Sequence, residues 1–308
     1  MAAPIQPRGG TIEVQGLTKR FSGGVAAVSD LSFTVVPGRV TGFLGPNGAG
    51  KTTTLRMLLG LVNPTSGTAT IGGVRYRDLP HPTSQVGAVL EATSFHPSRR
   101  ARSHLRMIAI AAGIDEARID PALELVGLSG DARRKVGGFS MGMRQRLELA
   151  AALLGDPGVL ILDEPSNGLD PQGIAWLRQL IRHLAGEGRT VLVSSHLLAE
   201  MSQTVDDVVI LSQGHLRAQG PLATLVAEAR VSMRVRTPEP DRLASVVHSA
   251  GFVPRRISQD TVTVDGATPE QLGPLLAAHQ VVLYGLTEER QDLESLFLGL
   301  TTPLGDPR

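Results

Sequence analysis

Residues 45–52 read Gly-Pro-Asn-Gly-Ala-Gly-Lys-Thr, a glycine-rich turn closed by a lysine and a hydroxyl residue. The turn follows the apolar run 40–44 and precedes a helical stretch over about residues 51–60. Directly after a strand and before a helix is where a phosphate-binding loop has to sit. Gly45, Gly48 and Gly50 let successive backbone N–H groups turn towards one point, and the helix N-terminus adds partial positive charge there. The pattern is G-x-x-x-x-G-K-[ST], a cradle for phosphate groups. Lys51 would reach the β- and γ-phosphates of a nucleotide, and the Thr52 hydroxyl would ligate Mg²⁺. A bland glycine turn is the competing explanation. A chance match is expected in about one chain of this length in a hundred at average residue usage, and the strand–loop–helix setting lowers that further.

A second segment completes the chemistry. Residues 159–164, Val-Leu-Ile-Leu-Asp-Glu, form an apolar strand that ends in two carboxylates. Such a strand sets Asp163 at the edge of a sheet beside the phosphate loop, to hold Mg²⁺. Glu164, next along, is placed to polarise a water for in-line attack. An acidic pair after a strand is commonly only the start of a polar loop; paired with Lys51 it is a candidate site.

The surrounding pattern is α/β over residues 11–219. Strands are expected at 12–17, 31–36, 40–44, 86–90, 159–163, 191–194 and 208–211, several of them nearly continuous in apolar character, as buried strands are. Between 91 and 152 the pattern is mostly helical, which suggests a helical subdomain inserted between two strands. A boundary falls near Gly220-Pro221, dividing the chain into 1–220 and 221–308. After a short helix, the tail reads strand 231–236, helix 241–250, strands 252–257 and 261–264, helix 269–279, strand 281–286 and a closing helix 293–300. The βαββαβ order suits a small α+β, ferredoxin-like sheet.

Residues 139–146, Phe-Ser-Met-Gly-Met-Arg-Gln-Arg, together with the two segments above, resemble the ATP-binding subunits of ABC transporters, and the resemblance covers roughly residues 11–219. It implies a P-loop ATPase core in which Gly45, Pro46, Asn47, Gly48, Ala49, Gly50, Lys51, Thr52 and Thr53 contact ATP. The 139–146 run resembles the family's signature, usually L-S-G-G-Q. Ser140 and Gly142 are kept, while Met141 and Met143 depart from the commonest form. The resemblance implies that Ser140 and Gly142 act on the γ-phosphate bound by a second subunit. Asn167-Gly168-Leu169-Asp170 resembles the loop that meets that subunit, with Asp170 in its place. His196 sits like the histidine that bonds the γ-phosphate, and Phe21 like the aromatic that stacks on adenine. Glu91 stands where the family has glutamine. It can still ligate Mg²⁺ and orient a water, but it adds negative charge beside a triphosphate and it titrates.

The V-L-E-A, N-G-L-D-P and L-E-S-L-F-L-G-L segments are similar to the drug- and peptide-antibiotic-export branch, the daunorubicin- and bacitracin-resistance type. That resemblance implies a homodimer powering a separate polytopic membrane permease, at the cytoplasmic face of the cell membrane.

Rival functions fare less well. Gly138-Phe139-Ser140-Met141-Gly142 also matches G-x-S-x-G, the nucleophile elbow of hydrolases, but the required apolar strand does not precede it. Charges balance, 30 Lys+Arg against 29 Asp+Glu, and aromatics are only 3%, so no nucleic-acid partner is expected. A non-transport ABC ATPase acting on the ribosome or DNA is the alternative; repair types carry coiled coils or zinc cysteines and ribosomal types two ATPase halves, and one phosphate loop and no cysteine are present. The start of the chain has no apolar signal segment, and nowhere do 18 apolar residues run together, so the chain is not expected to cross a membrane by itself. The basic run 98–106 is read as a solvated helix face, with contact to a membrane partner or anionic lipid as the alternative.

Overall fold

In the computed structural model, which describes residues 8–24, 26–90, 95–197, 201–227 and 231–290, the strand expected at 40–44 is β3 (Val40–Leu44), and all five of its residues are buried. β1 (Ile12–Arg20) and β2 (Ala26–Val35) precede it. Then come α1 (Lys51–Leu58), β4 (Ser66–Ile71), a single turn α2 (Pro82–Gln85) and β5 (Val86–Val89). α3 (Ala101–Ala112), α4 (Ile119–Leu125) and α5 (Met141–Leu153) make up the helical insertion expected between two strands. β6 (Val159–Leu162), α6 (Pro171–Gly186), β7 (Thr190–Ser195), β8 (Asp207–Ser212) and β9 (His215–Pro221) follow.

Six strands form one sheet in the order β5-β6-β7-β3-β8-β9, parallel except for the antiparallel edge strand β9. β6 and β7 are buried along their whole length, which is why β6 reads as an unbroken apolar run and β7 has an apolar centre, Val191–Val193. β1 alternates buried and exposed residues at its start and lies in a separate antiparallel sheet, β2-β1-β4. Phe33 of β2 and Phe43 of β3 meet at 5.2 Å between ring centroids in the core that joins the two sheets. These are the layers of a P-loop NTPase core with an inserted helical subdomain. Among the described residues, no helix is long and apolar enough to cross a membrane.

The described residues divide into two units, with the break between Leu222 and Ala223. In the second, β10 (Val231–Arg236), β11 (Val253–Arg256), β12 (Thr261–Asp265) and β13 (Gly285–Arg290) pair antiparallel in the order β11-β12-β10-β13. Helices Pro240–Ser249 and Pro269–Ala278 cover one face, burying Leu243, Val247, Leu272 and Leu276 against Met233, Val235, Val262 and Val264. This is the ferredoxin-like βαββαβ arrangement.

Two sequence expectations need correction. The strand expected at 281–286 is β13, beginning only at Gly285. Val281 instead packs into the core just after the helix, its N–H donating to the Leu276 carbonyl at 3.0 Å, and the next residues carry the chain back to the sheet edge. β4 and β9 were not expected; both are edge strands with largely exposed residues, and neither has an apolar run. The closing helix expected at 293–300 lies outside the described residues.

At the sheet end opposite the phosphate loop, Asp156 joins three arginines. Its carboxylate lies 2.8 Å from Arg189, 3.0 Å from Arg8 and 3.7 Å from Arg118. Burial pushes the Asp156 carboxyl up. The hydrogen bond and charge of Arg189, with the charges of Arg8 and Arg118, outweigh that and hold it below the usual carboxylate range. Asp156 has left-handed backbone, φ 54, which asparagine tolerates. Asp156→Asn therefore isolates the charge and should destabilise the protein by about 1 kcal/mol at neutral pH. A carboxyl held low when folded stabilises above its unfolded pKa and loses that stabilisation as pH falls through the folded one. In urea titrations the gap between parent and variant should hold at neutral pH and close in acid; a gap that does not depend on pH would contradict this assignment.

Candidate active site

Parallel pairing brings the functional segments to one edge. Leu44, the last residue of β3, pairs with Ser195 of β7, and Leu162 of β6 pairs with Val193. The residues that follow these strand ends therefore converge at the carboxyl edge of the sheet, where α/β folds place their ligands. Lys51, Thr52, Thr53, Glu164, Asn167 and His196 line a cleft of about 560 Å³ with Pro46, Asn47, Gly48, Ala49 and Gly50.

The loop's glycines are required by space and by backbone. Gly50, at φ +100, caps α1, and a Cβ there would lie 2.4 Å from the Ala27 carbonyl oxygen. A Cβ on Gly45 would lie 2.6 Å from the Leu211 oxygen. Lys51 is buried and donates through Nζ to the Gly45 carbonyl at 2.6 Å and the Pro46 carbonyl at 3.4 Å. The loop thus holds its own cation in place.

Two carboxylates meet this loop differently. Thr52 Oγ1 donates to Asp163 Oδ2 at 2.8 Å, and Ser194 Oγ donates to Asp163 Oδ1 at 2.5 Å. Glu164 Oε1 lies 3.3 Å from Lys51 Nζ, and Glu164 Oε2 accepts from His196 Nδ1 at 2.9 Å. Their side chains are 7% (Lys51) and 13% (Glu164) exposed, so the pair lies in a setting where charge interactions count for more than in water. Glu164 also adopts left-handed backbone, φ 48. For a non-glycine residue this costs on the order of 1 kcal/mol or more, and such strain gathers at functional sites.

Other expected residues lie apart from the cleft lining. Phe21 is 47% exposed past the end of β1, with Lys19 Nζ 5.2 Å from its ring centroid. Ser140 is the N-cap of α5, its Oγ accepting from the Met143 N–H at 3.3 Å. The residues before it form a short 3-10 turn, 136–138, so the strand a nucleophile elbow needs is absent. Gly142 packs near Leu169, and Asp170 caps α6, its Oδ1 accepting from the Gly173 N–H at 2.8 Å. Glu91 lies outside the described residues.

Ser194 escaped sequence reasoning, although a serine pair ending the apolar β7 run was a visible signal. Besides bonding Asp163, it accepts from the Glu164 N–H at 2.8 Å. Asn167 was also missed as a cleft residue; it borders this cleft and a second one of about 560 Å³ under α5, lined by Leu90, Phe95, Val136 and Met141.

Fold and site together define a nucleotide-binding α/β ATPase of the phosphate-loop type. Comparison with known proteins narrows this. Residues 28–167 match the family described as ABC transporter, and residues 231–294 match a domain of unknown function, DUF8746. A bacitracin transport ATP-binding protein, BcrA of Bacillus licheniformis, is 45% identical over 213 residues, 68% of this chain and 69% of that protein. The Nod factor export ATP-binding protein I of Burkholderia lata is 36% identical over 305 residues, covering 97% of this chain and 98% of the relative. A solved ATP-binding subunit of an ABC transporter superposes with a TM-score of 0.64 at 32% identity, over 70% of this chain and 92% of that one. A dimeric bacterial ABC transporter cassette, MJ0796, shares the fold with a TM-score of 0.62 at 24% identity, covering 68% and 98%. The chain belongs to the ATP-binding proteins of the ABC transporter family, ATPases whose hydrolysis is coupled to transport.

Ser194→Ala removes one bond to Asp163 and the acceptor for the Glu164 amide. We expect ATP turnover to fall about tenfold, the order of one charge-assisted bond. Unchanged steady-state hydrolysis would show the bridge to be dispensable.

Proposed function

We propose that this chain is the ATPase subunit of an exporter of drug- or peptide-antibiotic type, working as a homodimer beneath a separate polytopic permease at the cytoplasmic face of the membrane. The observation that carries the catalytic part is the Glu164 carboxylate, held between Lys51 and His196 at the phosphate cleft. Relatives named for bacitracin transport and Nod factor export support the direction.

In this reading the loop amides of residues 45–53 and the positive end of α1 receive the phosphates of ATP. Lys51 exchanges its contact with Glu164 for β- and γ-phosphate oxygens, which frees the carboxylate. Glu164 then takes a proton from an attacking water, whose oxygen bonds to the γ-phosphorus as the bond to the ADP oxygen breaks. Lys51 and His196 stabilise the charge on the transferring group. Thr52 Oγ1 and the Asp163 carboxylate, adjacent hard oxygen donors, suit Mg²⁺ and would hold it, with Glu91 as a further ligand. When bound, the ion neutralises charge on the β- and γ-phosphates. Phe21 stacks on adenine, and the loop ending in Asp170 meets the partner copy.

Ser140 and Gly142 are not in the lining of their own chain's phosphate cleft. Facing the γ-phosphate of a second copy, they make ATP the link between two chains, and hydrolysis releases it. Closing and opening of the pair then drives the permease between its inward- and outward-facing states.

Lys51→Ala is expected to lose ATP binding. Glu164→Gln should retain binding, cut turnover about a hundredfold or more, and accumulate the closed dimer. Undiminished hydrolysis in Glu164→Gln would remove Glu164 as the base. The transport reading is tested by affinity capture of Glu164→Gln from gently solubilised native membranes with ATP. A stoichiometric polytopic membrane protein supports it. Ribosomal or DNA-bound proteins without such a partner would overturn it while leaving the ATPase intact.

A further inference from the structure

One side chain joins three helices of the first unit. Arg146, on the same helix as the Ser140 cap, lays its guanidinium over the indole of Trp176 on α6, with Cζ 4.0 Å from the ring centroid. It also donates to the Val126 carbonyl, where α4 ends, at 3.1 Å. Residue 127 is a glycine with φ +72, and a Cβ there would approach Arg146 Nη1 to 3.2 Å. The guanidinium therefore occupies a slot that a larger residue at 127 would crowd.

A second contact lies at the start of α5. A Cβ on Gly168 would fall 1.8 Å from Met141 Sδ, so the methionine fills the space that glycine leaves. Leu169 lies close by as well: a Cβ added at Gly142 would fall 3.5 Å from Leu169 Cδ2. α5 is thus tied to the segment 167–176 at two separated places. One contact would act as a pivot; two fix the rotation of a rigid helix. The cation–π contact is half-buried, where such contacts hold more strongly than at open surface. Neither Arg146 nor Trp176 lines the phosphate cleft.

We propose that the Arg146–Trp176 stack sets the angle at which α5 presents Ser140 and Gly142 to the nucleotide held by a second copy. Arg146 is then a positioning residue for closure of the ATP dimer. The inference rests on the reading that Ser140 and Gly142 act across a dimer.

The test uses the full chain. Arg146→Ala should leave ATP affinity of the single chain unchanged, because nothing in the phosphate cleft is touched. ATP-driven dimer formation in the Glu164→Gln background and kcat should each fall about tenfold, with KM little altered. Arg146→Lys and Trp176→Phe keep a cation over an aromatic face and should recover most of the loss. Trp176→Leu, close to phenylalanine in bulk but without the π face, should not recover it. The double change Arg146→Ala/Trp176→Leu should be no worse than either alone, as for two residues acting as one unit. Trp176 is the chain's single tryptophan, so its emission reports the stack directly: it should shift in Arg146→Ala and stay near the parent's in Arg146→Lys.

Equal losses of nucleotide affinity and kcat in Arg146→Ala would mark general damage and overturn the proposal. Full activity in Trp176→Leu, or additive losses in the double variant, would overturn it as well. If Glu164→Gln forms no dimer with ATP, the two-copy reading fails and takes this inference with it. If that dimer forms normally while Arg146→Ala closes as well as the parent, only the positioning role fails.

Discussion

The site depends first on the parallel pairing of β3, β7 and β6. With Leu44 opposite Ser195 and Val193 opposite Leu162, the loop after β3, the carboxylates after β6 and the histidine after β7 must leave the sheet side by side. Slipping any of these strands by one residue would turn its side chains to the opposite face, against different packing partners, so close packing on both faces holds the register. The chemistry sits on loops, but the positions of those loops are set by the strand ends beneath them.

On that frame the loops carry strain and charge. Gly45 and Gly50 let backbone approach backbone more closely than a Cβ permits, and Glu164 accepts left-handed backbone that aims its carboxylate between Lys51 and His196. Ser194 holds both acidic residues from below: its hydroxyl donates to Asp163 and receives the Glu164 amide. With its donor and acceptor capacity both used, this buried serine ties the Asp163 carboxylate and the Glu164 backbone to β7.

Much of this was legible because the governing interactions are local. The phosphate loop is one continuous segment, and β3 was expected at its observed bounds since its five residues are all buried and none is charged. The ferredoxin-like order of the second unit followed from alternating strand and helix patterns alone. What escaped depends on contacts between distant segments or on weak local signals. β4 and β9 are exposed edges whose pairing comes from their neighbours. Ser194 matters only through its reach to another strand, and Arg146 only through a tryptophan on a different helix. Met141, read in sequence as a departure from the commonest signature, gains meaning from Gly168, which leaves the space it fills.

Within the family shown by its relatives, the central claim is that one chain supplies two halves of different sites: a phosphate cleft on the sheet edge and the α5 turn bearing Ser140. The most direct test mixes two inactive variants, Lys51→Ala and Ser140→Ala, and follows ATP hydrolysis. In a mixed dimer one site carries both defects, and the other pairs an intact loop from one chain with an intact Ser140 from its partner. The account predicts that the mixture recovers turnover that neither variant shows alone. A mixture no more active than the sum of its parts would mean that each chain acts on its own nucleotide, contrary to the account.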